Sequence, residues 1–311
     1  MSERTSKGGG PVALSLTDRV VASAMAAGAG YNTEAVTWQI GKGHRRKRSP
    51  NRAEIRKAKR RRYRWLRKHG KAHPDLAVMA VEVAACGHHR LRQRCLHPAC
   101  PRCAHALQRL LVRVVHRLTA PDPGEAWMIV SVILPTRDPT GEIDFVGEGQ
   151  RNAAILREAG ITRGVFGLDL SFNEDHRLSL PEGERFADHA CVHLYGLAPA
   201  AEAQAAEAKL KKLVPITEAV PRPVHVKLWD GGLGAIGYAL KSEFVRRQTI
   251  LQPDPRRDKP VRNTRDRPLT VEQQIQAVRA LARAGLTGRI VLLGFHFEAT
   301  PLGHLRLVSE L

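Results

Sequence analysis

Four cysteines stand within eighteen residues of this 311-residue chain: Cys86, Cys95, Cys100 and Cys103, with eight, four and two residues between them. Four thiolates at such spacing suit a tetrahedral zinc ion, and a site that leaves no open position is structural. The close pair in "CPRC" is the knuckle of many zinc sites, whereas the long first gap is less regular. His88, His89, His97 and His105 are near enough in sequence to replace one cysteine, so the ligands are more open than the metal. Four unrelated thiols are the plainer alternative, and the density of the cluster argues against it. A module of this kind would offer Arg90, Arg92, Arg94 and Arg102 to a phosphate backbone.

A second group lies in "DHACVHLYGL", residues 188–197. In a strand, alternate side chains share a face, so His189, Cys191, His193 and Tyr195 point one way and Ala190, Val192 and Leu194 the other. Cys191 and His193 then stand roughly 6.6 Å apart along the strand, a comfortable separation for two ligands of one ion. His189 and His193, about 13 Å apart, are hard to bridge, which leaves His189 the remoter candidate. In "GVFGLDLSF", Phe166, Leu168, Leu170 and Phe172 form an apolar face and Asp169 stands on the opposite one with Gly167 and Ser171. If the two strands are antiparallel neighbours, Asp169 lies beside the His193 row as a third ligand. A buried strand with incidental histidines is the plainer alternative.

The elements that must position these residues follow from periodicity. "WMIVSVIL" reads as a buried strand, "DFVGEGQRNAAILREAG" as a helix closed by Gly160, and "GVFGLDLSF" and "HACVHLYGL" as two more strands. "PAAEAQAAEAKLKKLV" is an alanine-rich helix, "RPVHVKLW" a strand, and "LGAIGYALKSEFVRR" a last helix. The order β-α-β-β-α-β-α predicts an α+β fold: a split-βαβ (ferredoxin-like) antiparallel sheet with helices on one face. Before it, "ALQRLLVRVVHRL" is an amphipathic helix that stops at "APDPG". After it, "QPDPRRDKPVRNTRDRP" reads as a linker, and "TVEQQIQAVRALARAG" as a helix with Thr270 as cap, Gln273 as its partner and Gly285 as stop. Two short strands close the chain.

The charge is concentrated. Fifty Lys and Arg face thirty Asp and Glu, a net +20. Between Lys42 and Lys71 there are sixteen Lys or Arg and one acid, Glu54. Such an excess calls for a polyanion, most often nucleic acid, with an anionic membrane surface as the competing partner. Arg45, Arg46, Lys47, Arg48, Arg60, Arg61, Arg62 and Arg64 would track phosphates, and Tyr63 and Trp65 would stack on bases. A solvated basic arm is the bland alternative. No run approaches the roughly 18 apolar residues of a membrane span. The stretch "VVASAMAAGAG" lacks the layout of a signal peptide. These features predict a cytoplasmic protein with metal-bound rather than disulfide-bonded cysteines.

Taken in order, these motifs resemble the rolling-circle replication initiators (Rep proteins) of the HUH endonuclease superfamily. The likeness runs roughly from Cys86 to Arg247. It rests on the cysteine cluster, "MIVSVILP", "GLDLSF" where the family has an acidic ligand, "CVHL" where it has a His-hydrophobe-His metal strand, and "GYALK" where it has Tyr-x-x-Lys. The departure is Cys191, which takes the first histidine's place. The resemblance implies a metal-dependent DNA endonuclease and strand transferase that starts plasmid or phage replication. Tyr238 would be the nucleophile, Lys241 its helper, and Mg²⁺ or Mn²⁺ the catalytic ion beside a structural Zn²⁺. Thiolate suits those hard ions poorly. Either a softer ion binds, or water replaces Cys191, or the site has been reduced to DNA binding. A transposase or relaxase of the same chemistry, or a non-catalytic zinc-containing DNA-binding protein, are the other readings. The partners implied are single-stranded or hairpin origin DNA and the host's replication helicase or polymerase, with no membrane. The chain divides into a loose or partly helical lead-in (1–41), a basic DNA-binding arm (42–75), the zinc module and its helix (76–120), the HUH-type nuclease domain (121–250) and a linker with a C-terminal helix and strand extension (251–311).

Overall fold

The structure, a computed structural model, describes residues 15–26, 39–40, 47–87, 94–119, 124–135, 141–241, 243–255, 258, 260–300 and 304–310, with backbone alone at 39–40 and 47–48. Arg45, Arg46, His88, His89, Arg90 and Arg92 lie outside these residues, as do the side chains of Lys47 and Arg48.

The amino-terminal part is helical. Helix α1 (Leu16–Ala26) is followed by a short antiparallel pair, β1 (Gln39–Ile40) and β2 (Lys47–Arg48). The basic run forms α2 (Arg52–His69), started by a capping box in which Asn51 and Glu54 exchange hydrogen bonds at 2.8 and 2.9 Å. That reciprocal cap satisfies two amide donors that the first turn leaves open. Two further helices follow, α3 (Pro74–Ala85) and α4 (Pro101–Thr119).

The alternating region then gives β3 (Trp127–Ile133), α5 (Phe145–Ala159), β4 (Gly164–Asp175), β5 (His189–Pro199), α6 (Ala200–Leu213), β6 (Val224–Leu228) and α7 (Leu233–Ala239). The carboxyl-terminal part adds β7 (Val245–Gln252), β8 (Val261–Arg267), α8 (Val271–Ala284), β9 (Ile290–Leu293), β10 (Phe295–Ala299) and β11 (Leu305–Ser309). Asp144 caps α5, and Gly160, at φ 103°, ends it as expected. Thr270 and Gln273 form the expected box on α8.

The fold is mixed α+β. Seven strands form one sheet in the order β6-β3-β5-β4-β7-β8, with β9 also on β4. Four departures from the sequence reading matter for the site. First, the expected last helix is only α7; the chain leaves it after Ala239 and returns as β7, parallel to β4. The sheet is therefore mixed rather than antiparallel. β4 is twelve residues long, and its outer edge would otherwise expose unpaired amides, so β9 fills Gly164–Gly167 and β7 fills Ser171–Asp175. Second, half of the expected linker is strand β8, hydrogen-bonded to β7. Third, the terminal apolar run is broken at Gly294, φ 62°, into β9 on the main sheet and β10, which pairs with β11. Three strands rather than two thus follow α8.

Fourth, helices cover both faces, not one. Val130, Phe166, Leu168, Leu170 and Leu194 bury one face against α5, α6 and α8. On the other face Trp127, Ile129, Val165 and Leu197 pack under Val112 and Val115 of α4 and Ile236 of α7. That second face is apolar at one end only. Past it the same alternation brings up Ser131, Asp169, Ser171, Cys191 and His193. Among the described residues, no helix is long and apolar enough to cross a membrane.

Candidate active site and metal centre

The four cysteines converge. Cys86 follows α3, Cys95 lies at 94–97, which carries no regular structure, Cys100 precedes α4 and Cys103 sits in its first turn. Their sulfurs all lie within 4.8 Å of one another, with Cys86–Cys103 at 3.5 Å and Cys95–Cys103 at 3.6 Å. Sulfurs held at about 2.3 Å by a tetrahedral ion stand about 3.8 Å apart, so the cage fits zinc. The thiols are not paired as disulfides. His97 accepts the Ala99 amide on Nδ1, and His105 bonds Gln108 inside α4, so neither replaces a cysteine.

Cations surround this cage. Lys59 of α2 donates to the carbonyls of Ala84 and Cys86 at 3.1 and 2.6 Å. Arg94 and Arg102, expected to face phosphate, donate instead to the carbonyls of Arg102 and Gly87. Burial pushes the Arg62 guanidinium down to about 10, against the pull of Glu243 and Cys100. Arg62 Nη1 is buried without a hydrogen-bond partner. Four thiolates around a divalent ion carry a net double negative charge, which supplies what this ring of cations needs. Tyr63 and Trp65, expected to be open to bases, are half-buried and packed on the core beside the cysteines. Arg60, Arg61 and Arg64 remain exposed.

The second group forms on the polar end of the sheet. β4 and β5 are antiparallel, and Asp169 stands directly opposite His193 and Ser171 opposite Cys191, as the face assignment requires. Tyr238 reaches this face from α7 because Gly167 leaves room; a Cβ there would run into the Ala239 carbonyl oxygen. Gln108 of α4 holds α7 by donating to the Gly237 carbonyl at 2.5 Å. The Tyr238 hydroxyl donates to Asp169 Oδ2 at 3.5 Å, and Lys241 Nζ pairs with the same oxygen at 2.7 Å. Asp169 is 1 % exposed, so this ion pair is shielded from water. The Tyr238 ring stacks edge-on against Tyr195 at 5.0 Å.

One member of the group was not legible in the sequence. Arg247, placed in a helix by periodicity, is on β7 and donates to the Tyr238 oxygen at 3.4 Å. Arg289 also serves the site from beneath, donating to the carbonyls of Leu168 and Lys241. Its charge lies between the rings of Phe145 and Phe244.

The expected metal ligands do not converge in the same way. Among the described residues, the four cysteines are the group of three or more potential ligands close enough to share an ion. Cys191 is buried, and burial pushes its thiol up to about 11. His189 turns its Nδ1 to the Ala187 carbonyl and its ring to Phe186. His193 bonds Ser131 through Nε2 at 2.8 Å. Asp169 Oδ1 and His193 Nδ1 are buried with no hydrogen-bond partner. Asp169, His193 and Cys191 thus do not fit a three-ligand site for Mg²⁺ or Mn²⁺.

Burial also pushes the His193 imidazole down to about 4; Asp169 opposes this, while Arg247 and Lys241 add to it. The unfolded chain protonates this histidine near 6.5, so folding disfavours the charged form. Stability from this residue is present above about pH 6.5 and is lost as the pH falls toward 4. A proton-detected titration should show the His193 ring neutral at pH 5.5. A midpoint near 6.5 would contradict the burial.

Compared with protein-family models, curated proteins and solved structures, the chain matches none.

Proposed function

We propose that this chain is a DNA strand transferase that cuts one strand through a tyrosine ester. Within that class, the reading that best accounts for its parts is an initiator of rolling-circle replication. The observation that carries it is the Tyr238 hydroxyl set against a buried carboxylate and two cations. The antiparallel block β6-β3-β5-β4, with α5 and α6 as its crossovers, fits the split-βαβ plan such nucleases use.

The chemistry follows from the side chains. Asp169 Oδ2 takes the Tyr238 proton as the phenol oxygen attacks phosphorus. A Tyr–O–P bond forms and the P–O3′ bond breaks. The departing O3′ takes a proton from Lys241, which regains one from Asp169 across their 2.7 Å contact. The enzyme keeps the 5′ phosphate and so conserves the ester for rejoining. The cysteine cage, with zinc, holds α2 against the core, and the exposed arginines of α2 lie along the phosphates.

Incubating the full chain with labelled single-stranded DNA from its own locus tests this reading. A denaturation-resistant protein–DNA adduct is expected. Binding without adduct on every such strand would leave the second reading, a non-catalytic DNA-binding protein, which is favoured by Asp169, His193 and Cys191 not forming a three-ligand group among the described residues. A transposase or relaxase would give the same adduct at different DNA ends.

Changing Arg60, Arg61 and Arg64 together to Gln should weaken binding to all sequences alike. These side chains are exposed, so the fold should persist. Each lost phosphate contact lowers the slope of log K against log salt by roughly 0.7 to 0.9. An unchanged slope would place the DNA elsewhere.

A further inference from the structure

The edge pairing of β7 brings a charge to the reaction centre that no motif announces. β7 runs parallel to β4 with Arg247 beside Asn173, on the face that carries Asp169. Around the Tyr238 hydroxyl stand Asp169 from β4, His193 and Tyr195 from β5, Lys241 beyond α7 and Arg247 from β7, with Arg289 beneath. Their charges are unequal in use. Lys241 is paired with Asp169 at 2.7 Å. Burial keeps His193 neutral at ordinary pH and pushes the Tyr195 phenol up to about 12. Among the described residues Arg247 has no carboxylate within ion-pair distance, and its Nη2 is 3.4 Å from the Tyr238 oxygen.

We propose that Arg247 is a catalytic residue of this site: its guanidinium steadies the Tyr238 oxygen as the phenolate forms and then holds the non-bridging oxygens of the scissile phosphate. The role rests on the strand-transfer reading above. Guanidinium is suited to it because it stays charged and presents several donors in one plane, which match phosphoryl oxygens. Asp169 is paired with Lys241, and Asp266, opposite Arg247 on β8, offsets part of the guanidinium's charge, so Arg247 and the buried Arg289 leave the centre net positive and suited to a phosphodiester. The donor is fixed before the substrate arrives, the condition under which such groups lower barriers most.

Two variants and two readouts test this. Arg247→Gln removes the charge, and Arg247→Lys keeps it without the planar fork. With single-stranded DNA from the native locus, Arg247→Gln should slow adduct formation by about 100-fold or more at neutral pH. Arg247→Lys should restore part of the rate, and DNA affinity should change little, since one phosphate contact among many is altered. The second readout is DNA affinity, measured on the same strand. An adduct rate in Arg247→Gln within threefold of wild type, or a loss of rate matched by an equal loss of DNA affinity, overturns the proposal while leaving the strand-transfer reading intact. A wild-type protein that makes no adduct overturns both.

Discussion

Tyr238→Phe is expected to abolish the covalent protein–DNA adduct while leaving the fold and DNA binding in place. The ring keeps its edge-on contact with Tyr195 at 5.0 Å and its place under the Lys241 ammonium, 4.7 Å from the ring centre. What is lost are two long hydrogen bonds, to Asp169 and from Arg247, at 3.5 and 3.4 Å. Bonds of that length cost about 1 kcal/mol or less when removed. Asp169 Oδ2 is not orphaned, because Lys241 still pairs with it. The chemical loss is total, since no other atom of the side chain can bond phosphorus. The measurement is adduct on a denaturing gel, with DNA affinity and melting temperature as controls. Persistence of adduct would name another nucleophile, with Tyr195 next on the same face. Tyr195 is a poor one, because burial pushes its phenol up to about 12.

Removing the metal, or replacing Cys100 with Ser, should have the largest effect on the fold. Freshly purified protein is expected to carry about one tightly held zinc. Structural zinc contributes on the order of 10 kcal/mol in small thiolate sites, more than most domains have to spare. Two consequences should separate this from an ordinary core mutation. Leu66, Leu76, Met79 and Val83 share one buried cluster with Cys86, Cys100 and Cys103, so α2 and α3 should loosen together. Lys59 and Arg62 would lose their countercharge, so α2 should become protease-sensitive ahead of the sheet. DNA affinity should fall with it. The checks are metal analysis, helical circular dichroism and limited proteolysis before and after chelation. Zinc-free protein with unchanged helicity would sink the metal assignment.

Much of this was written along the chain. Period-two alternation in "GVFGLDLSF" and "HACVHLYGL" assigned Asp169 and His193 to one face, and the register places them opposite each other. The cap at Thr270 starts α8 and the one at Gly160 ends α5, both as read from the sequence. Four cysteines in eighteen residues announced a cage because local spacing limits where their sulfurs can go. These are short-range properties, set by dihedral preference and by which side chains a strand or helix must turn the same way.

What the tertiary structure decided lies across long separations. Nothing in "LGAIGYALKSEFVRR" distinguishes one helix from a helix and a strand; the open edge of β4 does, and it turns Arg247 from a helix residue into a neighbour of Tyr238. Whether Tyr238 could meet Asp169 depended on α7 resting on Gly167, seventy-one residues earlier in the chain. Cys191 shares a face with His193 yet is buried beside Ser171 and Asn173, because alternation assigns a side chain's face but not what packs over it. Tyr63 and Trp65 look free in a run of arginines, but the apolar stripe of α2 had to be buried, and the cysteine module was the surface within reach. Periodicity can show which faces are wet or dry; only the completed packing determines which partner each face acquires.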